Sequence, residues 1–151
     1  MINNYLKDMT ILYVEDDKTL LSVYSEQLKD KVKKLYLAEN GQEGYEKFLE
    51  HQPDIIIADI MMPVLNGVAM TRKIRDKDSS IPIVITTSSD DQGYLTDTLG
   101  LGVQGYLAKP VNFDELLDLL STISKLIQIE KEKTSQKKAL QEQYNIDMLH
   151  I

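Results

Sequence analysis

Four apolar runs in this chain end on polar residues whose types suit a divalent cation and a phosphoryl group. TILYV runs into Glu15-Asp16, DIIIA into Asp59, IVIT into Thr87, and GYLA into Lys109-Pro110. Magnesium takes hard oxygen ligands and typically accepts one or two carboxylates from protein. Glu15, Asp16 and Asp59 are therefore the candidate ligands. A carboxylate can also serve as nucleophile in group transfer, which makes Asp59 a candidate for acyl-phosphate formation. A cation between that carboxylate and an incoming phosphoryl group would offset the repulsion of two anions. Lys109 offers a point charge to a phosphoryl oxygen, and Thr87 offers a hydroxyl donor to another. Taken singly, the acidic pair reads as a helix cap, Asp59 as a turn residue, Thr87 as a cap and Lys109 as a solvated charge. Four such residues at successive strand ends make the bland reading improbable as a set.

The elements that must position them follow from the spacing. Asp16, Asp59, Thr87 and Lys109 are separated by 43, 28 and 22 residues, each enough for a crossover between parallel strands. Strand-like runs at 10–14, 33–38, 55–58, 83–85 and 105–107 alternate with helical spacing at 18–29, 42–50, 68–76, 90–99 and from Asn112 onward. The 55–58 and 83–85 runs are wholly apolar, as strands buried on both faces are. Asn112 followed by Glu115 has the capping-box pattern. Gly93, Thr96 and Thr98 weaken the fourth helix, and the short fifth strand reads as an edge. This alternation predicts an α/β protein, a flavodoxin-like (βα)5 doubly wound parallel sheet of order 2-1-3-4-5. Ligands bind outside the carboxyl ends of such strands, so the order brings Glu15-Asp16 beside Asp59.

Composition sets bounds. The 151 residues, 42% of them hydrophobic, suit one core-bearing domain at 1–124 with an appendage at 125–151. No run approaches the about 18–20 apolar residues of a membrane span. The absence of cysteine excludes a disulfide framework or a thiolate site. With no signal-peptide pattern, a cytoplasmic location is expected. Residues 1–124 carry net charge −8 and 125–151 carry +1, which argues against direct nucleic-acid binding.

The ordered segments ILYVEDD, AENGQEG, DIIIADIMMPVLNG, IPIVITTS and GYLAKP resemble the receiver domain of two-component response regulators across 10–123. The resemblance implies a phosphoacceptor switch served by a sensor histidine kinase or phosphotransfer protein and dependent on magnesium, without turnover of a separate substrate. It puts the family's acidic pair on Glu15 and Asp16, with Asp17 one place beyond. It puts the phosphoacceptor on Asp59, a metal-binding backbone carbonyl on Met61, the switch hydroxyl on Thr87 and the phosphate-binding lysine on Lys109. Tyr106 matches an aromatic that rotates when the switch is thrown, and Pro110 a proline after a cis bond. The face around 90–106 would then control a partner or output domain.

Several positions depart from the family pattern. Ser88 replaces a usual alanine or glycine, and Val103 a usual alanine. Met61 and Ser89 fall where the family tunes phosphoryl lifetime, and neither can position an attacking water well, so slow self-dephosphorylation is expected. An alternative is a receiver-like interaction module that acts without phosphorylation. A magnesium-dependent aspartyl-phosphate phosphatase is disfavoured, because Met61 stands where its second acid belongs. A flavin-binding flavodoxin is disfavoured because EDDK would repel a phosphate. Beyond 129 the polar EKEKTSQKK lacks an apolar face, while Leu140, Tyr144, Met148 and Ile151 form a thin stripe. That tail reads either as a frayed or disordered end or as a helical linker toward an output domain or a homodimer through 104–151.

Overall fold

The computed structural model describes residues 4–150; Ile151, counted in the expected stripe, lies outside them. After a 3-10 turn at Tyr5–Asp8, strands and helices alternate: β1 Thr10–Val14, α1 Lys18–Leu28, β2 Lys34–Ala38, α2 Gly41–His51, β3 Ile55–Asp59, α3 Gly67–Lys77, β4 Ile83–Thr87, α4 Gln92–Thr96, β5 Gly105–Ala108 and α5 Phe113–Leu149. The strands form one parallel sheet in the order β2-β1-β3-β4-β5, as the alternation predicts.

Each face of the sheet carries its own core layer. Ile11, Tyr13, Ile55, Ile57, Val84 and Leu107 meet Leu21 and Leu28 of α1 and Leu116, Leu120 and Ile123 of α5. Alternate residues of the same strands, among them Leu12, Ile56, Ile83 and Ile85, meet Phe48 of α2 and Met70 and Ile74 of α3. Every residue of β3 is buried, so its all-apolar run reflects cover on both faces.

Short polar side chains start the helices just past the strand ends. Asp17 Oδ1 accepts from the N–H groups of Thr19 and Leu20. Asn40, Asn66 and Asn112 accept from Glu43, Ala69 and Glu115. Each cap satisfies a donor the helix cannot use, typically contributing about 1 kcal/mol. The chain therefore turns sharply where the candidate site residues sit.

Two regions differ from the simplest reading of the pattern. The stretch expected as a helix over 90–99 begins as a 3-10 turn, Ser89–Asp91, and its α-helical part is only Gln92–Thr96. At the other end, α5 runs unbroken for 37 residues, about 56 Å at 1.5 Å per residue. The polar stretch 130–138 is helical and exposed, as is the rest of the helix to Leu149. Leu140, Tyr144 and Met148 are exposed on it.

Candidate functional site

The carboxyl ends of β1 and β3 are neighbours, with Val14 in register with Ala58. The next residues, Glu15 and Asp59, are 2% and 5% exposed, while Asp16 is exposed. Ligand oxygens from Glu15, Asp16 and Asp59 lie within 4.8 Å of one another. Three hard donors at one point, one of them open to solvent, fit a divalent cation such as magnesium. Asp17 is set apart: its carboxylate caps α1, and its N–H donates to Glu15 Oε2 at 3.2 Å. Within the EDD run, Glu15 and Asp16 thus lie in the cluster, while Asp17 serves as the helix cap.

Lys109 reaches this cluster from the opposite side. Its Nζ donates to Asp59 Oδ2 at 2.7 Å and to Glu15 Oε1 at 2.9 Å. The Lys109–Pro110 bond that follows β5 is cis, as the resemblance implies. Burial pushes the Glu15 carboxyl up to about 6, and the hydrogen bond from Lys109 opposes that rise. Burial also raises Asp59, against the pull of Lys109 and of a hydrogen bond from the Met61 N–H. Burial alone would lower Lys109, but its bonds to Asp59 and Glu15 hold it above the ordinary lysine value. The site thus holds an ammonium between two buried carboxylates.

The loop after Asp59, within DIMMPVLNG, is held tightly against the strand end. Asn66 caps α3, and the Gly67 N–H donates to Ile60 O at 2.8 Å. A Cβ on Gly67 would stand 2.3 Å from the Asp59 carbonyl oxygen, so only glycine lets α3 start this close to the site.

Thr87 and Tyr106 make no hydrogen bond to Glu15, Asp16 or Asp59. Thr87 Oγ1 makes long contacts of 3.3 Å to Ser88 O and 3.4 Å to Asp91 Oδ2, on the α4 side. Asp91 Oδ2 also accepts from the Ser88 N–H at 2.8 Å, within the capping box that opens the 3-10 turn. Tyr106 is 38% exposed, and its hydroxyl lies 2.5 Å from Thr98 Oγ1. Sequence reasoning passed over Asp91 and Thr98 as partners. Ser88 and Asp91 at i and i+3 carry a cap signal that could have exposed the first, whereas the Thr98–Tyr106 bond has no local signature.

A parallel sheet of this order, with an acidic cluster and a lysine at its carboxyl edge, defines a doubly wound α/β domain of the flavodoxin-like class. The chain belongs to the response regulator receiver domain family, which it matches over residues 11–121. It is 35% identical over 113 residues to the response regulator ArlR of Staphylococcus aureus, covering 75% of this chain and 51% of ArlR. It is also 35% identical over 97 residues to the transcriptional regulatory protein LnrK of Bacillus subtilis, covering 64% and 44%. The chain thus spans about half the length of the curated relatives it matches. Among solved structures it resembles the N-terminal domain of an uncharacterized protein from Wolinella succinogenes (29% identity, TM-score 0.76, covering 82% and 98% of the two chains). The chemotaxis protein CheY4 of Vibrio cholerae is also similar (26% identity, TM-score 0.70, covering 77% and 98%). No helix among the described residues is long and apolar enough to cross a membrane.

Proposed function

We propose that Asp59 accepts a phosphoryl group from a histidine kinase or phosphotransfer protein of a two-component system, and that the modified domain acts as a switch. The observation that carries this reading is the Lys109 ammonium held against Asp59 Oδ2 and Glu15 Oε1, beside a third carboxylate open to solvent. An Asp59 carboxylate oxygen attacks phosphorus, a bond from oxygen to phosphorus forms, and the phosphorus–nitrogen bond of a phosphohistidine donor breaks. The electron pair leaves on the donor imidazole, and the product is a mixed anhydride. The Met61 N–H and Lys109 hold the Asp59 carboxylate in place for this attack. Lys109 then meets the charge that develops on a phosphoryl oxygen. Glu15, Asp16, Asp59 and the Met61 carbonyl would hold magnesium, which when bound offsets the repulsion between carboxylate and phosphoryl group.

The response involves Thr87 and Tyr106. The Thr87 hydroxyl exchanges its long contacts toward Asp91 for a phosphoryl oxygen, and Tyr106 leaves Thr98 for the space so vacated. These are two packings of one surface around 90–106, biased by contacts open only to the phosphorylated form. The surface signals to a partner, to an output domain joined through α5, or to a second copy of the chain. No separate substrate is turned over, and the domain works in the cytoplasm. The test is the intact mass of the protein after incubation with a small phosphodonor. A single labile phosphoryl adduct, lost in Asp59→Asn and without magnesium, supports the reading; an adduct that survives Asp59→Asn sinks it.

A further inference from the structure

The Thr86 hydroxyl is sealed from solvent and has no hydrogen-bond partner, in a residue only 3% exposed. Leaving a buried hydroxyl unpaired carries a free-energy cost, and such a group in a native structure calls for a reason. Valine would fill the same space with no such cost.

Its position supplies the reason. β4 lies between β3 and β5, and Thr86 is the register partner of Asp59 on one side and Leu107 on the other. Side chains alternate along a strand, so Thr86 shares the face of Val84, the one that packs with Ile57 and Leu107. Lys109 leaves the end of β5 yet bonds to Asp59 at the end of β3. With strands about 4.8 Å apart, the backbones of β5 and β3 lie about 10 Å apart, so the Lys109 and Asp59 side chains meet over β4 between them. Thr86, Glu15 and Lys109 also line one cavity of about 330 Å³ with Tyr13, Tyr24 and Val111, which leaves the lysine room to move. An ammonium has three N–H donors, and Glu15 and Asp59 take two of them.

We propose that Thr86 is a positioning residue for Lys109: its hydroxyl accepts a Lys109 N–H once Asp59 carries a phosphoryl group. The proposal rests on the reading of Asp59 as the phosphoacceptor. Acylation turns one Asp59 oxygen into the bridging oxygen of the anhydride and moves the negative charge onto the phosphoryl oxygens. Lys109 follows that charge, exchanges its bond to the carboxylate for one to a phosphoryl oxygen, and in its new position turns its third N–H toward Thr86. Thr86 Oγ1 is the one buried, unpartnered side-chain oxygen among the described residues. The hydroxyl is therefore unpaired in the free protein and paired in the modified one.

The test compares thermal midpoints of the wild type, Thr86→Val and Thr86→Ser, each with and without magnesium and beryllium fluoride, which builds a phosphoryl mimic on a carboxylate. Thr86→Val should raise the free midpoint by about 2–6 °C. Its gain on adding the mimic should fall below the wild-type gain by a similar amount. Thr86→Ser should keep most of the wild-type gain. A lower free midpoint in Thr86→Val would show that the hydroxyl is already paired, and would overturn the proposal. So would an undiminished gain beside a normal wild-type gain. A wild type with no gain and no phosphoryl adduct overturns the phosphoacceptor reading, and this proposal with it.

Discussion

Replacing Lys109 by methionine keeps the length of the stem and removes the charge that two buried carboxylates share. The Glu15 and Asp59 side chains are 2% and 7% exposed, and Lys109 is 21% exposed. Breaking a buried ion pair by removing one partner typically costs about 3–5 kcal/mol, because the remaining charge is left uncompensated. Here the lysine is partly solvated and Asp16 opens the cluster to water, so the expected loss lies lower, at about 2–3 kcal/mol. For a domain of this size that lowers the midpoint by about 4–12 °C. The assay is urea unfolding of wild type and Lys109→Met, first in chelator and then in millimolar magnesium. A cation bound by the cluster in the folded state stabilises by mass action and replaces the missing charge, so the deficit should shrink in magnesium. Equal stability of the two proteins in chelator would refute the reasoning. A deficit of the same size with and without magnesium would refute the link between the lysine and the cation site.

Four further outcomes follow from the same geometry. Asp17→Ala should cost about 1 kcal/mol of stability by removing the α1 cap while leaving magnesium affinity nearly unchanged; Asp16→Ala should do the reverse, and titration calorimetry beside urea unfolding separates them. Burial raises the Asp78 carboxyl, but the N–H groups of Ser80 and Ile81 outweigh it and hold the group below its usual value. Its stabilisation is therefore present above pH about 3.9 and lost as pH falls through the lower folded value. Asp78→Asn should cost about 1 kcal/mol near neutrality, a gap that closes in acid melts. Met61→Asn should shorten the phosphoryl lifetime several-fold, followed by intact mass over time, since an amide can position water and a thioether cannot. Phosphorylation should change amide hydrogen exchange within 88–108, where the helix is short and begins as a 3-10 turn; unaltered exchange there would remove α4 and β5 from the switch.

Most of the fold could be read from its strands because wholly apolar runs such as IIIA and IVI have few other uses. Asp59 and Lys109 were legible for the same reason, each marking the end of such a run. The expected convergence of Glu15, Asp16, Asp59 and Lys109 is what the structure contains. Thr87 differs, because its hydroxyl contacts Asp91 through a cap that forms only when the chain turns at Ser88. The orphaned Thr86 hydroxyl was hidden inside the run IVIT, where threonine reads as an ordinary strand residue. Only the register with Asp59 and the meeting of Lys109 and Asp59 over β4 reveal its setting. The tail was ambiguous because 130–138 has no apolar face, and its side chains are exposed on the helix that continues through it.

The identity of the phosphoacceptor can be tested chemically at a single residue. Borohydride reduces an aspartyl phosphate to homoserine, so peptide mapping of the phosphodonor-treated, reduced protein names the modified position. The account predicts homoserine at Asp59 and at no other aspartate, dependent on magnesium. Homoserine at Asp16 or Asp17 instead, or an unreduced Asp59 in protein that carries the phosphoryl mass, would contradict it.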